Sequence, residues 1–523
     1  PPTPGLIITC FIAGVDLKER KSAMRTYLLN HQQEDGGWGL HIEGPSTIFG
    51  TTLNYVALRL LGMAAADPVC VAARTFILAH GGAVMNPHWG KFWLAVLGVY
   101  DWPGVNPISP QLWMLPYWLP FHPGKMWCHC RMVYLPMSYV YGGEFSAPIG
   151  DLQAELRREL FSVPYEQVPW DAHRNTCANI DLYAPHTVVM DVALWALKRA
   201  EVWLPGFIRR PLRAAGMRFA LDYLQAEDLQ TNYVDIGPVN KVVNMLAVFF
   251  AHGSSSDAFR RHVARIDDYL WVAEDGMKMQ GYNGSQSWDT SFALQALAAA
   301  GPAFAGRRED AVVRMHAYLD ATQIKNNVPK REAFFRTISK GGWPFSTNDH
   351  GWPIADCTSE GMKATLAARA LAAAGSVDLG SGTADGFGGV RSGAIAPQRY
   401  FEALEVLVAF HNPDGGWATY EETRGAPWYE YLNPAEVYGD IMIDYTYTEL
   451  TSACVTALVA FQRHFPGHRP ADVARLIAAG TQYVREQQRD DGSWYGSWAV
   501  CFTYGCWFGV EALVAGGDPA GRD

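Results

Sequence analysis

Gly-Trp turns set ahead of Ala- and Leu-rich stretches constrain this chain more than any other feature. HQQEDGGWG contains Trp38, SKGGWPF contains Trp343, NPDGGWATY contains Trp417, and QQRDDGSWYGSW contains Trp494 and Trp498. Trp343, Trp417 and Trp494 follow one another at intervals of 74 and 77 residues. Between and behind the turns lie LNYVALRLLG (53–62), SFALQALAAAG (291–301), KATLAARALAAAG (363–375), FEALEVLVAF (401–410) and TSACVTALVAF (451–461). Their apolar residues recur at three and four, the period of a helix with a buried face. Alternating runs that would signal strands are scarce. The expectation is an all-α chain built as a helical array. The glycines permit tight turns, and each indole can pack on neighbouring helix ends with its N–H on an acceptor. These tryptophans read as structural ties rather than catalytic groups.

With 523 residues the chain is long enough for two to four domains and a large core. Its 42 basic and 52 acidic residues give a net charge of −10, which argues against a nucleic-acid binder. The 19 Trp, 24 Tyr and 24 Phe must either fill the core or line a cavity. Nine scattered cysteines do not form a disulfide framework, so reduced thiols and a cytosolic setting are expected. Cys128-His129-Cys130 is too tight for the usual zinc spacing. No transmembrane run or signal peptide is visible. The start without Met and the stop just after an ordered-looking segment read as a fragment.

The stretch 85–145 looks irregular, aromatic and Pro-rich. Polar segments near 252–257 and 375–397 interrupt the array, and the second has the composition of a surface loop.

The sharpest chemical signal is GGWPFSTNDHGWPIADCTSEGMKA (341–364), in which a Gly/Pro/aromatic loop delivers Asp356 to a helix start. Two readings stand side by side. As a cap, Asp356 is ionised and its pKa falls; as an acid in an apolar pocket, it stays protonated near pH 7. Other clusters are GMKMQGYNGSQSWDTSF with Tyr282 and Trp288, NPDGGWATYEE with Tyr420, the Tyr438–Asp440–Asp444 stretch, and DLYAPHTVVM with His186. Asp440 and Asp444 read as solvated or capping groups. No G-x-S-x-G elbow or phosphate loop is present. One buried acid facing a wall of π faces suits chemistry that guides a carbocation without trapping it.

The Gly-Trp turns resemble the repeats of triterpene cyclases. IADCTSEGMKA, DGMKMQGYNGSQSWDTSFALQAL, NPDGGWATYEETRG, NPAEVYGDIMIDYTY and GSWAVCFTYGCWFG resemble the oxidosqualene cyclases, over nearly the whole chain. The resemblance implies two α/α-barrel domains, of the α6-α6 toroid type with QW-type repeats. A catalytic cavity would lie between them. The domains are expected at 1–270 and 271–523, the second carrying the acid and lacking its C-terminal end. Family members extend further at both ends.

Where squalene–hopene cyclases carry Asp-x-Asp-Asp, this chain has Ile354-Ala355-Asp356-Cys357, keeping only the central Asp. Opening an epoxide demands a weaker acid than protonating an alkene, so the resemblance implies 2,3-oxidosqualene as the substrate. By likeness, Asp356 is the general acid, and Cys357 and Cys501 hydrogen-bond its carboxyl group. Trp288 and Phe345 stabilise developing cations, and His186 and Tyr420 form a polar pair near the late cation. Tyr438 falls where relatives usually carry Phe. Tyr282, His350 and Ile354 match the cycloartenol-forming members, whereas lanosterol-forming members more often show Thr, another polar residue and Val.

The implied reaction is cyclisation and rearrangement of oxidosqualene to a sterol precursor, cycloartenol in the first instance and lanosterol or parkeol as alternatives. No metal or organic cofactor is implied. The resemblance also implies a monotopic protein seated on one membrane leaflet, on the cytoplasmic side. Rivals from other classes are a non-catalytic helical-barrel protein that binds a lipid or partner, and a zinc-dependent prenyltransferase β-subunit.

Overall fold

A computed structural model describes residues 2–380 and 393–517. Part of the predicted polar loop at 375–397 therefore lies outside the described residues. Contact clustering divides the chain into two units. The first takes in the described residues of Pro1–Leu229, Tyr233–Asn283 and Gly425–Ile443; the second those of Gln230–Asn232, Gly284–Arg424 and Asp444–Asp523.

The first unit holds α1 (Pro2–Ala13), α2 (Arg20–Asn30), α3 (Ile48–Leu60), α4 (Pro68–Ala79), α5 (His88–Leu97), α6 (Cys128–Gly143), α7 (Asp151–Glu159), α8 (Val188–Trp203), α9 (Gly206–Gln230), α10 (Pro238–His252) and α11 (Asp257–Ala264). Its strands are two short antiparallel hairpins, β1 (Trp38–Gly39) with β2 (Ser46–Thr47) and β3 (Leu270–Ala273) with β4 (Gly276–Met279). Helices α1, α3, α6 and α10 are buried along most of their length and pack as an inner row. Amphipathic α4 and α11 lie outside, against α3 and α10.

The second unit holds α12 (Gln286–Ala299), α13 (Pro302–Gly306), α14 (Glu309–Thr322), α15 (Ala355–Ala373), α16 (Pro397–Ala409), α17 (Thr448–His464), α18 (Pro470–Glu486) and α19 (Cys501–Ala515). Helices α12, α15, α17 and α19 form an inner row, and α14, α16 and α18 pack outside it. This alternation is the wall of an α/α barrel. All five stretches with helical periodicity fall in helices: α3, α12, α15, α16 and α17.

The Gly-Trp turns share one set of bonds. The indole N–H groups of Trp38, Trp343, Trp417 and Trp494 donate to the carbonyls of Leu28, Leu319, Leu407 and Val484, at 2.7–2.9 Å. Each acceptor lies in the helix before the turn. The backbone N–H of the same tryptophans meets the next inner helix. Trp38, Trp343 and Trp417 donate to the hydroxyls of Thr51, Thr358 and Thr451 at 3.0 Å, and Trp494 donates to Cys506 Sγ at 3.4 Å. Gly36 and Gly415 sit at φ +86° and +96°, where a side chain is strained. Asp35 and Asp414 then accept the N–H two residues ahead, closing Asx turns. Trp498 is not an anchor of this kind: it is partly exposed, with its ring against Tyr447.

The stretch 85–145 is only partly irregular. Its middle is short 3₁₀ turns, but α5 and α6 flank them. Helix α6 continues through Pro136, whose missing N–H leaves the Met132 carbonyl without its helical donor. Asn240 Nδ2 donates to that carbonyl at 2.7 Å from α10. Local pattern carried no trace of that distant partner.

Candidate functional site

Asp356 stands second in α15, whose N-cap is Ile354 with no capping side chain. Its Oδ1 accepts the N–H of Cys357 at 2.7 Å. Burial pushes its carboxyl up to about 7, against the opposing pull of the Cys357 N–H and thiol, and the nearby Glu360 and Glu449 reinforce the rise. A helix N-terminus ordinarily favours the carboxylate, so desolvation outweighs the dipole here.

Glu360 is fully buried, accepts from Gln295 at 2.7 Å and pairs with Lys363 at 2.8 Å. Glu449, on α17, is buried and accepts the N–H groups of Ser497 and Trp498, and its own carboxyl is raised by burial. Burial also lifts the Cys357 thiol well above the usual range. Cys501 departs from expectation: it opens α19 exposed and makes no hydrogen bond to Asp356. The sulfur near the acid on a neighbouring helix is Cys454 of α17, fully buried, which accepts from Ser359 at 3.4 Å.

Aromatic rings run from the entry loop of α15 across to α19. Phe345 stacks on Trp288 at 6.1 Å, Trp288 meets Phe292 at 4.7 Å, and Phe292 meets Trp507 at 5.8 Å. Trp507 and Phe508 then lead to Tyr504, whose phenol is raised by burial and by Asp356. Trp288 and Phe345 are also tied through backbone, N–H to carbonyl at 3.2 Å.

Tyr420 belongs to the same unit. Asp444 Oδ2 accepts the N–H groups of Thr419 and Tyr420, both at 3.0 Å, and the Thr419 carbonyl accepts the N–H of Ala355 at 2.8 Å. Asp444 thus braces the loop that is pinned to the residue before the acid. It is buried, and burial raises its carboxyl to about 7. Asp440 is exposed, as expected of a solvated group; Asp444 is not. Buried Trp352 offers one face to the Arg336 guanidinium at 3.2 Å and meets the Tyr420 ring at 6.2 Å. His350 and Ile354 are buried in the loop leading to α15.

Three expected residues lie in the first unit. Tyr438 packs edge-on against Trp89 at 5.3 Å, and burial raises its phenol to about 12. Tyr282 meets the ring of His129 at 6.3 Å. His186 donates from Nε2 to the Pro434 carbonyl at 3.1 Å, with Glu436 3.6 Å from the same nitrogen and Asp191 3.5 Å from Nδ1. His129 escaped sequence reasoning because Cys128-His129-Cys130 was weighed only as a metal motif. Its position at the start of α6, just after the Pro123–Lys125 turn, is the usable signal.

Asp228, Asp235 and His262 place ligand atoms within 4.8 Å of one another, all buried. The Lys241 ammonium sits in that cluster, 2.9 Å from His262 Nδ1 and 3.8 Å from Asp235. It donates to the histidine lone pair that a metal would need, so these residues do not fit a metal site.

A cavity of about 690 Å³ in the first unit is lined almost wholly by apolar groups, among them Met126, Tyr134, Met190, Leu197 and Met442. No helix of the described residues is long and apolar enough to cross a membrane.

Comparison with known proteins places these features. The squalene-hopene cyclase N-terminal domain model matches residues 5–275, and the corresponding C-terminal domain model matches 392–523. A cycloartenol synthase of Dictyostelium discoideum is 48% identical over 520 residues, covering 99% of this chain and 70% of that protein. Lanosterol synthases of Mus musculus and Homo sapiens are 46% and 45% identical, each over 98% of this chain and 68% of their own length. Helical repeats tied by buried tryptophans and these relatives agree: the chain belongs to the family of squalene–hopene and oxidosqualene cyclases.

Proposed function

We propose that the protein converts 2,3-oxidosqualene to cycloartenol, with Asp356 as the acid that starts the cascade. The observation that carries this reading is a carboxyl group in the first turn of α15, which burial pushes up to about 7. Transfer of that proton to the epoxide oxygen breaks the C–O bond and leaves a tertiary cation, which successive double bonds attack. The Cys357 N–H is already placed to stabilise the carboxylate that remains. The rings from Phe345 to Tyr504 offer π faces to positive charge, each contributing up to about 2 kcal/mol when desolvated. The one oxygen in that row, the Tyr504 phenol, is raised by burial and stays protonated, which makes it a poor trap for the cation.

Loss of one proton ends the reaction: the C–H electron pair left behind neutralises the cation and balances the proton taken up by the epoxide oxygen. Tyr282 and His129 form one candidate acceptor pair, and His186, Tyr420 and His350 remain others. For the product, buried Ile354 adds a methylene over Val and limits movement of the rearranged cation. A proton then leaves the adjacent methyl and a cyclopropane closes. The 48% identity to a cycloartenol synthase supports the same choice.

The substrate is an insoluble C30 lipid, and α8 offers it a seat and an entrance. Its inward residues line the 690 Å³ apolar cavity, while Val188, Val192, Trp195 and Trp203 are exposed. A helix that lines an apolar cavity on one side and exposes valines and tryptophans on the other suits partial immersion in one leaflet.

Incubation with 2,3-oxidosqualene and mass-spectrometric analysis of the triterpenes tests the reading. Cycloartenol that disappears with Asp356→Asn supports it. Lanosterol or parkeol in its place overturns the product assignment, and undiminished turnover by Asp356→Asn removes the acid.

A further inference from the structure

The outer stripe of α8 is not uniformly apolar. Trp195, Arg199 and Trp203 recur at four-residue spacing, so they stand one above another on a single ridge. The guanidinium of Arg199 lies 5.6 Å from the Trp195 ring and 5.4 Å from the Trp203 ring. All three side chains are exposed, Trp195 at 54% and Trp203 at 68%. Among the described residues no carboxylate lies within ion-pair distance of Arg199. Its neighbours behave differently: Lys198 is paired with Asp171 at 3.1 Å, and Arg213 with Glu201 at 3.0 Å. Just beyond, Phe207 and Arg210 are also exposed on the first turns of α9.

We propose that this ridge docks on anionic phospholipid, with Arg199, held between Trp195 and Trp203, bonding the headgroup phosphate. The inference rests on the reading of α8 as the membrane seat. Indoles settle at the level of the headgroups, where an apolar ring and a polar N–H are both accommodated. A guanidinium clamped between two of them is held at the same depth. Its planar fork of donors matches phosphate oxygens in pairs, and it sheds water more readily than an ammonium. The negative surface potential of an anionic leaflet adds to this attraction, and a neutral leaflet lacks it.

Co-sedimentation of the whole protein with phosphatidylcholine vesicles, and with the same vesicles carrying phosphatidylserine, reads the preference directly. The expected result is stronger partition onto the anionic vesicles, weakening as salt rises. Arg199→Gln lowers that preference about fivefold, the worth of one arginine at such a surface, and Arg199→Lys keeps part of it. Equal partition of the unaltered protein onto both vesicles overturns the proposal, as does an anionic preference that Arg199→Gln leaves intact. Inorganic phosphate that abolishes the preference at constant ionic strength assigns the ridge to a free anion instead. Failure to bind either vesicle refutes the membrane seat itself, a result distinct from loss of lipid selectivity.

Discussion

Oδ1 of Asp356 accepts the backbone N–H of Cys357, the very next residue, at 2.7 Å. That N–H is one of the free donors in the first turn of α15, so the conjugate base already has its hydrogen bond before the proton leaves. Because burial raises the group to about 7, the acid form falls away as pH climbs through that value, and turnover is expected to fall with it. Asp356→Asn is expected to lower turnover by at least ~10²–10⁴-fold, the usual contribution of a general acid. A pH–rate profile with racemic substrate checks both.

The same shift has a consequence for stability with its sign fixed by linkage. The folded value lies above the ordinary 3.8. The group's stabilising contribution is therefore complete below that ordinary value and is lost as pH rises through about 7. Asp356→Asn carries no ionisation cost, so its melting advantage over the unaltered protein should be largest at pH 8, smaller at pH 5 and gone only below about 3.8. Thermal unfolding at pH 8 and pH 5 decides the matter, and an advantage as large at pH 5 as at pH 8 contradicts it.

The Trp494 turn is closed by a contact that admits no methyl group. A Cβ placed on Gly509 of α19 would meet the Trp494 ring at 2.4 Å. Gly509→Ala is expected to cost about 1–3 kcal/mol through overpacking. Trp417→Phe removes the donor that holds the Leu407 carbonyl and is expected to cost a similar ~1–3 kcal/mol. Denaturant unfolding monitored by circular dichroism measures each.

Asn240 and Pro136 are expected to be energetically coupled. Asn240→Ala leaves the Met132 carbonyl buried without a donor, at a cost of about 1–3 kcal/mol. Pro136→Ala supplies the missing N–H in the same helix and should recover much of that loss in the double variant. Strict additivity of the two changes refutes the compensation.

Ile354→Val shortens one buried side chain in the loop that delivers the acid. The expected outcome is a mixture in which lanosterol or parkeol joins cycloartenol, with folding stability lowered by only ~0.5–1.5 kcal/mol. Chromatography of the product triterpenes is the measurement, and unchanged cycloartenol alone argues against the steric account.

The helices and the four tryptophan anchors were legible in the sequence because both depend on short-range pattern: an apolar period, a turn glycine and an indole. Asp356 was legible for the same reason, as a residue delivered by a distinctive loop. What could not be read is non-local. Glu449 and Cys454 reach the neighbourhood of Asp356 only because α17 packs on α15. Cys501, chosen by likeness, is exposed, whereas Cys454 lies one helix over in an unremarkable TSACVTAL segment. His129 was hidden by its flanking cysteines, which suggested metal spacing rather than a ring contact with Tyr282. Asp444 reads in sequence as a solvated or capping group, and only the folded loop shows that it is buried and which two N–H groups it gathers.

The recurring tryptophan anchor also separates two tasks that a catalyst of this type must perform at once. Each clamp joins the close of one helix to the opening of the next through main-chain carbonyls and a short hydroxyl or thiol, so the angle between successive repeats depends little on which residues face inward. Scaffold geometry and cavity lining can then drift independently. A lineage may exchange rings, widen a corner or trade one methylene for another, and so redirect a common cation to a new skeleton, while the frame that presents the acid stays in register.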